Sequence, residues 1–152
     1  MVKVQLTGTD DQGSAVAIPR DDIVFIRASY RSGEIPDRTK IDFGTAATEQ
    51  EAYLVESLAA MVKQLGNGIA KLTTPCGTAV HVAAARVETV RAAQSWHHPK
   101  ARTILLARGR EIQVREERDL ALRRINAARP DRAKPVACGV RTRTRRRFST
   151  AS

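Results

Sequence analysis

The sequence predicts an α+β fold: two tandem small β-rich units, each of four or five strands plus a C-terminal helix, packed as a pseudo-symmetric pair and followed by a disordered basic tail. Three observations predict it. The stretch GSAVAIPRDDIVFIRAS at 13–29 lies over GTAVHVAAARVETVRAA at 77–93 without a gap, at an offset of 64. The apolar residues fall in short runs rich in Val and Ile, as strands require, and only two segments carry a helical stripe. Charge divides the chain into three parts, 1–66, 67–129 and 130–152.

In the aligned stretch Gly13, Ala15, Val16, Arg27 and Ala28 meet Gly77, Ala79, Val80, Arg91 and Ala92, and Ile18, Ile23 and Ile26 meet Val82, Val87 and Val90. A repeat of this kind means one structural unit used twice. The 77–93 run alone is ambiguous, because its alanines and arginines favour a helix and its valines a strand. Its partner decides the matter: Pro19 interrupts any continuous helix, and Ile23-Val24-Phe25-Ile26 has strand composition.

Taken in order, the first strand spans about 2–8 or 70–74, with Leu6-Thr7 set against Leu72-Thr73 and two extra residues in the first copy. A turn follows at Asp10-Asp11-Gln12-Gly13 or Pro75-Cys76-Gly77. The second strand covers about 14–18 or 78–82, and after a corner, around Ala83–Arg86 in the second copy, the third covers 23–29 or 87–93. A variable loop, SGEIPD or QSWHHP, precedes a fourth strand at Thr39 or Thr103. In the second copy Arg108-Gly109-Arg110 turns into a fifth strand over Glu111–Arg115. Glu56 then matches Glu116 at an offset of 60, which places a four-residue length difference between them.

Leu54, Val55, Leu58, Met61, Val62 and Leu65 form the stripe of the first helix. Two readings of 49–56 stay open: Thr48-x-x-Glu51 is a capping box that would start this helix early, whereas the alignment makes 52–56 a strand. Ala121, Leu122 and Ile125 mark a weaker helix ending near Ala128. Gly66-Asn67-Gly68 leaves almost no linker, so the units must touch, and a unit of this size buries only a small core alone.

Charge is the strongest functional signal. Residues 1–66 carry 7 Lys/Arg against 10 Asp/Glu, residues 67–129 carry 12 against 5, and residues 130–152 carry 7 against 1. This asymmetry marks a surface for nucleic acid or another polyanion, or else a solvated surface with no partner. After Pro130 the chain has few apolar residues and clusters Arg141, Arg143, Arg145, Arg146 and Arg147. Together with Arg123 and Arg124 these are the candidate phosphate-binding residues, since a guanidinium pairs with phosphate oxygens in bidentate fashion. Aromatic content of 4% argues against a base-stacking sheet, so phosphate contacts should dominate.

No segment reaches signal-peptide or membrane-span length, which reads as cytoplasmic. Cys76 and Cys138 are far apart and outside any CxxC pair, so neither a disulfide nor zinc is expected. His97-His98 beside Trp96 lacks a third ligand at metal spacing and reads as exposed loop; whether Trp96 covers the core edge or stands out stays open. Cys76 has no nearby histidine base, and Asp10-Asp11 and Asp21-Asp22 fall at corners where Asp serves turns. No Gly-rich phosphate loop is present. The expectation is a non-enzymatic protein without a cofactor.

Leu72-Thr73, Gly77, Val80 with Val82, Val87-Glu88-Thr89-Val90, Thr103-Ile104-Leu105-Leu106, Gly109, and Val114 with Glu116 follow one another across 70–126. In that order the second copy resembles the FlbD/SwrD family of small flagellar and swarming-motility proteins. Ala83 stands where that family has Asn, the loop 93–102 is long, and the first copy diverges further, with Pro19 at the Asn place. The resemblance implies a non-enzymatic motility accessory acting through flagellar proteins, the alternative to polyanion binding.

Overall fold

The computed structural model describes residues 5–129. The described residues form ten strands in three antiparallel sheets with two helices. The strands are β1 (Gln5–Thr9), β2 (Ala15–Pro19), β3 (Ile23–Ala28), β4 (Thr39–Gly44), β5 (Glu49–Leu54), β6 (Ile69–Thr73), β7 (Ala79–Ala83), β8 (Val87–Ala92), β9 (Thr103–Ala107) and β10 (Arg110–Val114). The helices are α1 (Leu58–Leu65) and α2 (Arg118–Ala128). Single 3-10 turns, Arg20–Asp22 and Ala84–Arg86, make the corners after β2 and β7. No helix is long and apolar enough to cross a membrane among the described residues.

The same backbone bonds recur in both halves. Asp10 N–H donates to the Ser14 carbonyl at 2.9 Å and Thr74 N–H to the Thr78 carbonyl at 2.8 Å; Val55 N–H donates to the Thr9 carbonyl and Arg115 N–H to the Thr73 carbonyl. Thr39 Oγ1 donates to the Glu56 carbonyl at 2.7 Å, and Thr103 Oγ1 to the Glu116 carbonyl at 2.6 Å. Glu56 Oε1 accepts from Thr9 N–H, which holds its carboxyl below the usual range, and Glu116 Oε1 accepts from Thr73 N–H. These bonds set Thr9 against Thr73. The offset of 64 therefore runs unbroken through the first strand, and the two extra residues expected in the first copy do not exist.

Residues 49–54 are strand, paired with β4 from Thr39↔Leu54 to Gly44↔Glu49. The capping-box reading fails because Thr48 closes the β4–β5 turn through Thr45, while the helix is capped by Ser57, whose Oγ accepts from Ala60 N–H at 3.2 Å. Leu54 and Val55 thus leave the helical stripe. The four-residue length difference lies here as well. A four-residue turn joins β4 to β5, whereas Arg108 (φ 46°) and Gly109 (φ 82°) make a two-residue type I′ turn between shorter strands.

Two apolar clusters form, one from Leu6, Ile18, Ile23, Ile26, Ile41, Leu54, Met61 and Leu65, the other from the second half together with Val24. The halves meet edge to edge where β3 pairs with β7, Phe25↔Val82, Ile26↔His81 and Arg27↔Val80, giving the sheet β5-β4-β3-β7-β6. No reciprocal pairing of β8 with β2 exists among the described residues. The arrangement is coarser than the symmetric pair expected from the sequence: three sheets of two, five and three strands.

Two buried arginine–carboxylate pairs hold this framework, with Lys40 also 3.4 Å from Glu34. Arg110, its side chain 6% exposed, donates Nε to Asp42 Oδ1 at 2.8 Å and spreads its other nitrogens over the carbonyls of Phe43, Thr45 and Arg108. Arg27, 3% exposed, forms a bidentate pair with Glu34, which also accepts from the N–H groups of Tyr30 and Arg31 and so organises the loop 29–38. Removing one partner of a buried pair strands the other. Arg110→Ala is expected to lower unfolding free energy by about 3–5 kcal/mol in denaturant titration. The Arg27 guanidinium holds the Glu34 carboxyl far below its ordinary value of 4.5. A depressed carboxylate contributes stability that is complete above the unfolded value and lost as pH falls below it. The unfolding midpoint should therefore drop progressively below about pH 4.5, and Glu34→Gln should be less stable at pH 7 but lose less on acidification.

Candidate nucleic-acid interface

The candidate site is the end of the second half where β6 turns into β7 and where β8 and β9 are joined. Residues 93–102 close into a loop through Ala93 N–H to the Arg102 carbonyl, and Arg102 N–H returns to the Val114 carbonyl at 2.9 Å. This brings Lys100 and Arg102 beside Arg115, which directly follows β10. Together with Ala93, Pro99 and Ala101 they line an open depression of about 650 Å3. Arg115 donates Nε to the Pro75 carbonyl at 2.9 Å, and its terminal nitrogens lie over Gly77. Gly77 has φ +98°, so the turn suits glycine, and the Arg115 guanidinium packs across it.

Equivalent positions in the first half show what the fold itself needs. At an offset of 64 Arg102 corresponds to Arg38, and there Arg38 pairs with Asp11 at 2.9 Å. Pro75 stands in place of Asp11 in the second half, and Arg102 and Lys100 have no ion pair among the described residues. Arg115 takes the place of Val55, and Lys100 that of Pro36. Gln64 caps the outer edge of β1 with two bonds to Thr7; its counterpart Arg124 donates to the Lys71 carbonyl and to Glu116. Arg124 and Arg115 thus hang on carbonyls four residues apart, Lys71 within β6 and Pro75 in the turn that follows it. The first half pairs Arg38 with Asp11 at this end, whereas Lys100, Arg102 and Arg115 of the second half have no ion pair among the described residues.

Of the residues expected from sequence, Arg124 belongs to this edge, although Glu116 partly neutralises it. Arg123 is exposed on α2 without an ion pair among the described residues, matching exposed Lys63 in the first half. Arg141, Arg143, Arg145, Arg146 and Arg147 lie outside the described residues, as does Cys138. Clustering along the sequence does not single out Lys100, Arg102 and Arg115, because they are distant or interleaved there. The signal is in the alignment of the two halves, where Arg102 lacks the Asp that Arg38 has.

The histidines are internal to the loop. His97 Nδ1 accepts from Gln94 N–H at 2.7 Å and His98 Nδ1 from Lys100 N–H at 3.0 Å, while His98 N–H donates to Gln113. The His97 side chain is only 6% exposed, so the expectation of an exposed pair fails there: its ring packs under the loop, with Nε2 3.8 Å from Glu111. Trp96 stands out at 77% exposure. Burial and Lys71 lower the His81 pKa, so it adds no charge at neutral pH. Among the described residues Cys76 is exposed, and no group of three His, Cys, Asp or Glu could hold a metal. Compared with known proteins, the chain matches no family model, no curated relative and no solved structure.

Proposed function

We propose that the protein is a non-enzymatic binding protein for nucleic acid, gripping phosphates through the basic second half. In this reading the halves are diverged copies of one unit: the first serves as scaffold, and the second has acquired Lys100, Arg102, Arg115 and Arg124 along one end and edge. The observation that carries it is the contrast between Arg38, neutralised by Asp11, and Arg102, whose acidic partner is replaced by Pro75. Cations held together without partners repel one another, so a fold keeps them at little benefit unless an anion comes to them. The planar guanidinium of Arg115, fixed through Nε and free at both terminal nitrogens, suits bidentate phosphate contact. Arginines 141–147 would add affinity from the same polarity of charge, and the contacts would be weak in sequence preference.

Binding should therefore depend steeply on salt. Fluorescence anisotropy with a labelled oligonucleotide over a salt series should show log affinity falling linearly with log salt. Lys100→Ala, Arg102→Ala and Arg115→Val combined should weaken binding and flatten that slope by about three units, one for each phosphate no longer neutralised. Lys100→Ala and Arg102→Ala should each shift the stability of the protein by no more than about 0.5 kcal/mol, as exposed sites do, and Arg115→Val, which gives up the bond to the Pro75 carbonyl, by about 1 kcal/mol. Unchanged affinity and slope in the triple variant, or no binding by the full chain at low salt, would refute the proposal.

A further inference from the structure

Trp96 is the sole tryptophan of the chain, and it is held outward by a loop that is ordered for its length. Beyond the Ala93–Arg102 closure, His97 N–H donates to the Gln94 carbonyl and Ala101 N–H to the His98 carbonyl, while the two imidazoles and Gln113 take three further backbone N–H groups. The indole leans on the His97 ring, centroids 5.5 Å apart and planes inclined by 42°. One face is thus supported and the rest lies in water. Exposed large apolar side chains among the described residues are few, Val55 at 46% and Trp96 at 77%. The first half places Ser32 at the position of Trp96, and the aromatic residue of its loop, Tyr30, lies two residues earlier against Arg27 and Arg31.

A large apolar ring kept in solvent on a built loop contributes nothing to the core and marks a contact surface. Its surroundings say which kind. Lys100 and Arg102 follow Trp96 by four and six residues on the return leg of the same loop and line the depression with Arg115, so the loop that carries the indole also carries two of the three cations. A membrane surface would be met by a broader apolar patch, and an inorganic polyanion has nothing for the ring to touch. A strand of nucleic acid offers both features, phosphates for the cations and an unpaired base with a π face for the indole.

We propose that Trp96 is a base-stacking residue, and that the preferred ligand is nucleic acid with unstacked bases, single-stranded or locally opened, over intact duplex. This rests on the polyanion reading above and adds the base to the phosphate. Stacking of one base is worth about 1–3 kcal/mol by alanine substitution, so Trp96→Ala should lose about tenfold or more in affinity for a single-stranded oligonucleotide. It should leave affinity for inorganic polyphosphate unchanged.

Tryptophan fluorescence of the full chain tests this directly. An oligothymidylate should quench emission in proportion to binding, polyphosphate should bind with little quenching, and Trp96→Phe should retain part of the affinity that Trp96→Ala loses. Three results would overturn stacking: both ligands bound with no Trp96 dependence, equal quenching by polyphosphate, or a blue shift with anionic phosphatidylglycerol vesicles alongside oligonucleotide binding that leaves the emission unchanged. Failure of the oligonucleotide and of polyphosphate to bind at all would instead defeat the polyanion reading, and stacking with it.

Discussion

The joint between β3 and β7 governs the rest of the structure. It is the one sheet pairing among the described residues that crosses from the first half to the second, and it forces an asymmetry on two otherwise similar units. Both third strands carry the same bulge, at Val24 between Ile23 and Phe25 and at Glu88 between Val87 and Thr89. In β3 the bulged Val24 is fully buried and belongs to the second cluster, with Phe25 packed against it. In β8 no strand covers the corresponding edge among the described residues, and Glu88, Thr89 and Arg91 replace Val24, Phe25 and Arg27. Polar and charged side chains on an open edge discourage further strand pairing. Arg110 reinforces the joint from the other side, binding Asp42 and the β4–β5 turn from the start of β10.

Because the second half is built on the same hydrogen bonds as the first, the first acts as an internal control for it. Thr39 and Thr103, Glu56 and Glu116, and the turns at Gly13 and Gly77 perform equivalent structural work. Where a matched position takes no part in the β3–β7 joint, a difference there is not demanded by the shared backbone. At the β6–β7 end several of those differences remove an acid or add a cation: an Asp gives way to Pro75, a Val to Arg115, a Pro to Lys100 and a Gln to Arg124, while Arg31 gives way to Ser95 and Ser32 to Trp96. Charge acquired on a scaffold that is stable without it is the physical content of the functional reading. In the proposed function an anion would meet Arg115, held at the Pro75 carbonyl, together with Lys100 and Arg102, which have no acidic partner among the described residues.

Much of the strand order is legible in the sequence, because the repeat supplies two noisy copies of one pattern. Pro19 resolves a run whose alanines alone point to a helix, and Thr39 and Thr103 begin their strands at the same offset. The register of the first strand is not legible, because Leu6-Thr7 matches Leu72-Thr73 in residue type, whereas space decides the pairing. Gly8 sits where Leu72 does, and a side chain there would collide with Leu54 at 2.8 Å. Residues 49–56 are ambiguous in sequence because Leu54 and Val55 fit a helical stripe; pairing with β4 over six positions overrides that local pattern. At the site, Arg124 is visible on its helix, but Lys100, Arg102 and Arg115 come together only through the closed 93–102 loop and the end of β10.

Hydrogen exchange of the full chain with and without a single-stranded oligonucleotide tests the central claim most directly, since it reads the two halves in one molecule. New protection should appear at 74–78, 93–102 and 114–116, with the matching segments 10–14, 29–38 and 54–56 unaffected. Equal protection of both sets, or protection confined to the first half, would contradict an account in which only the second copy has become the binding surface.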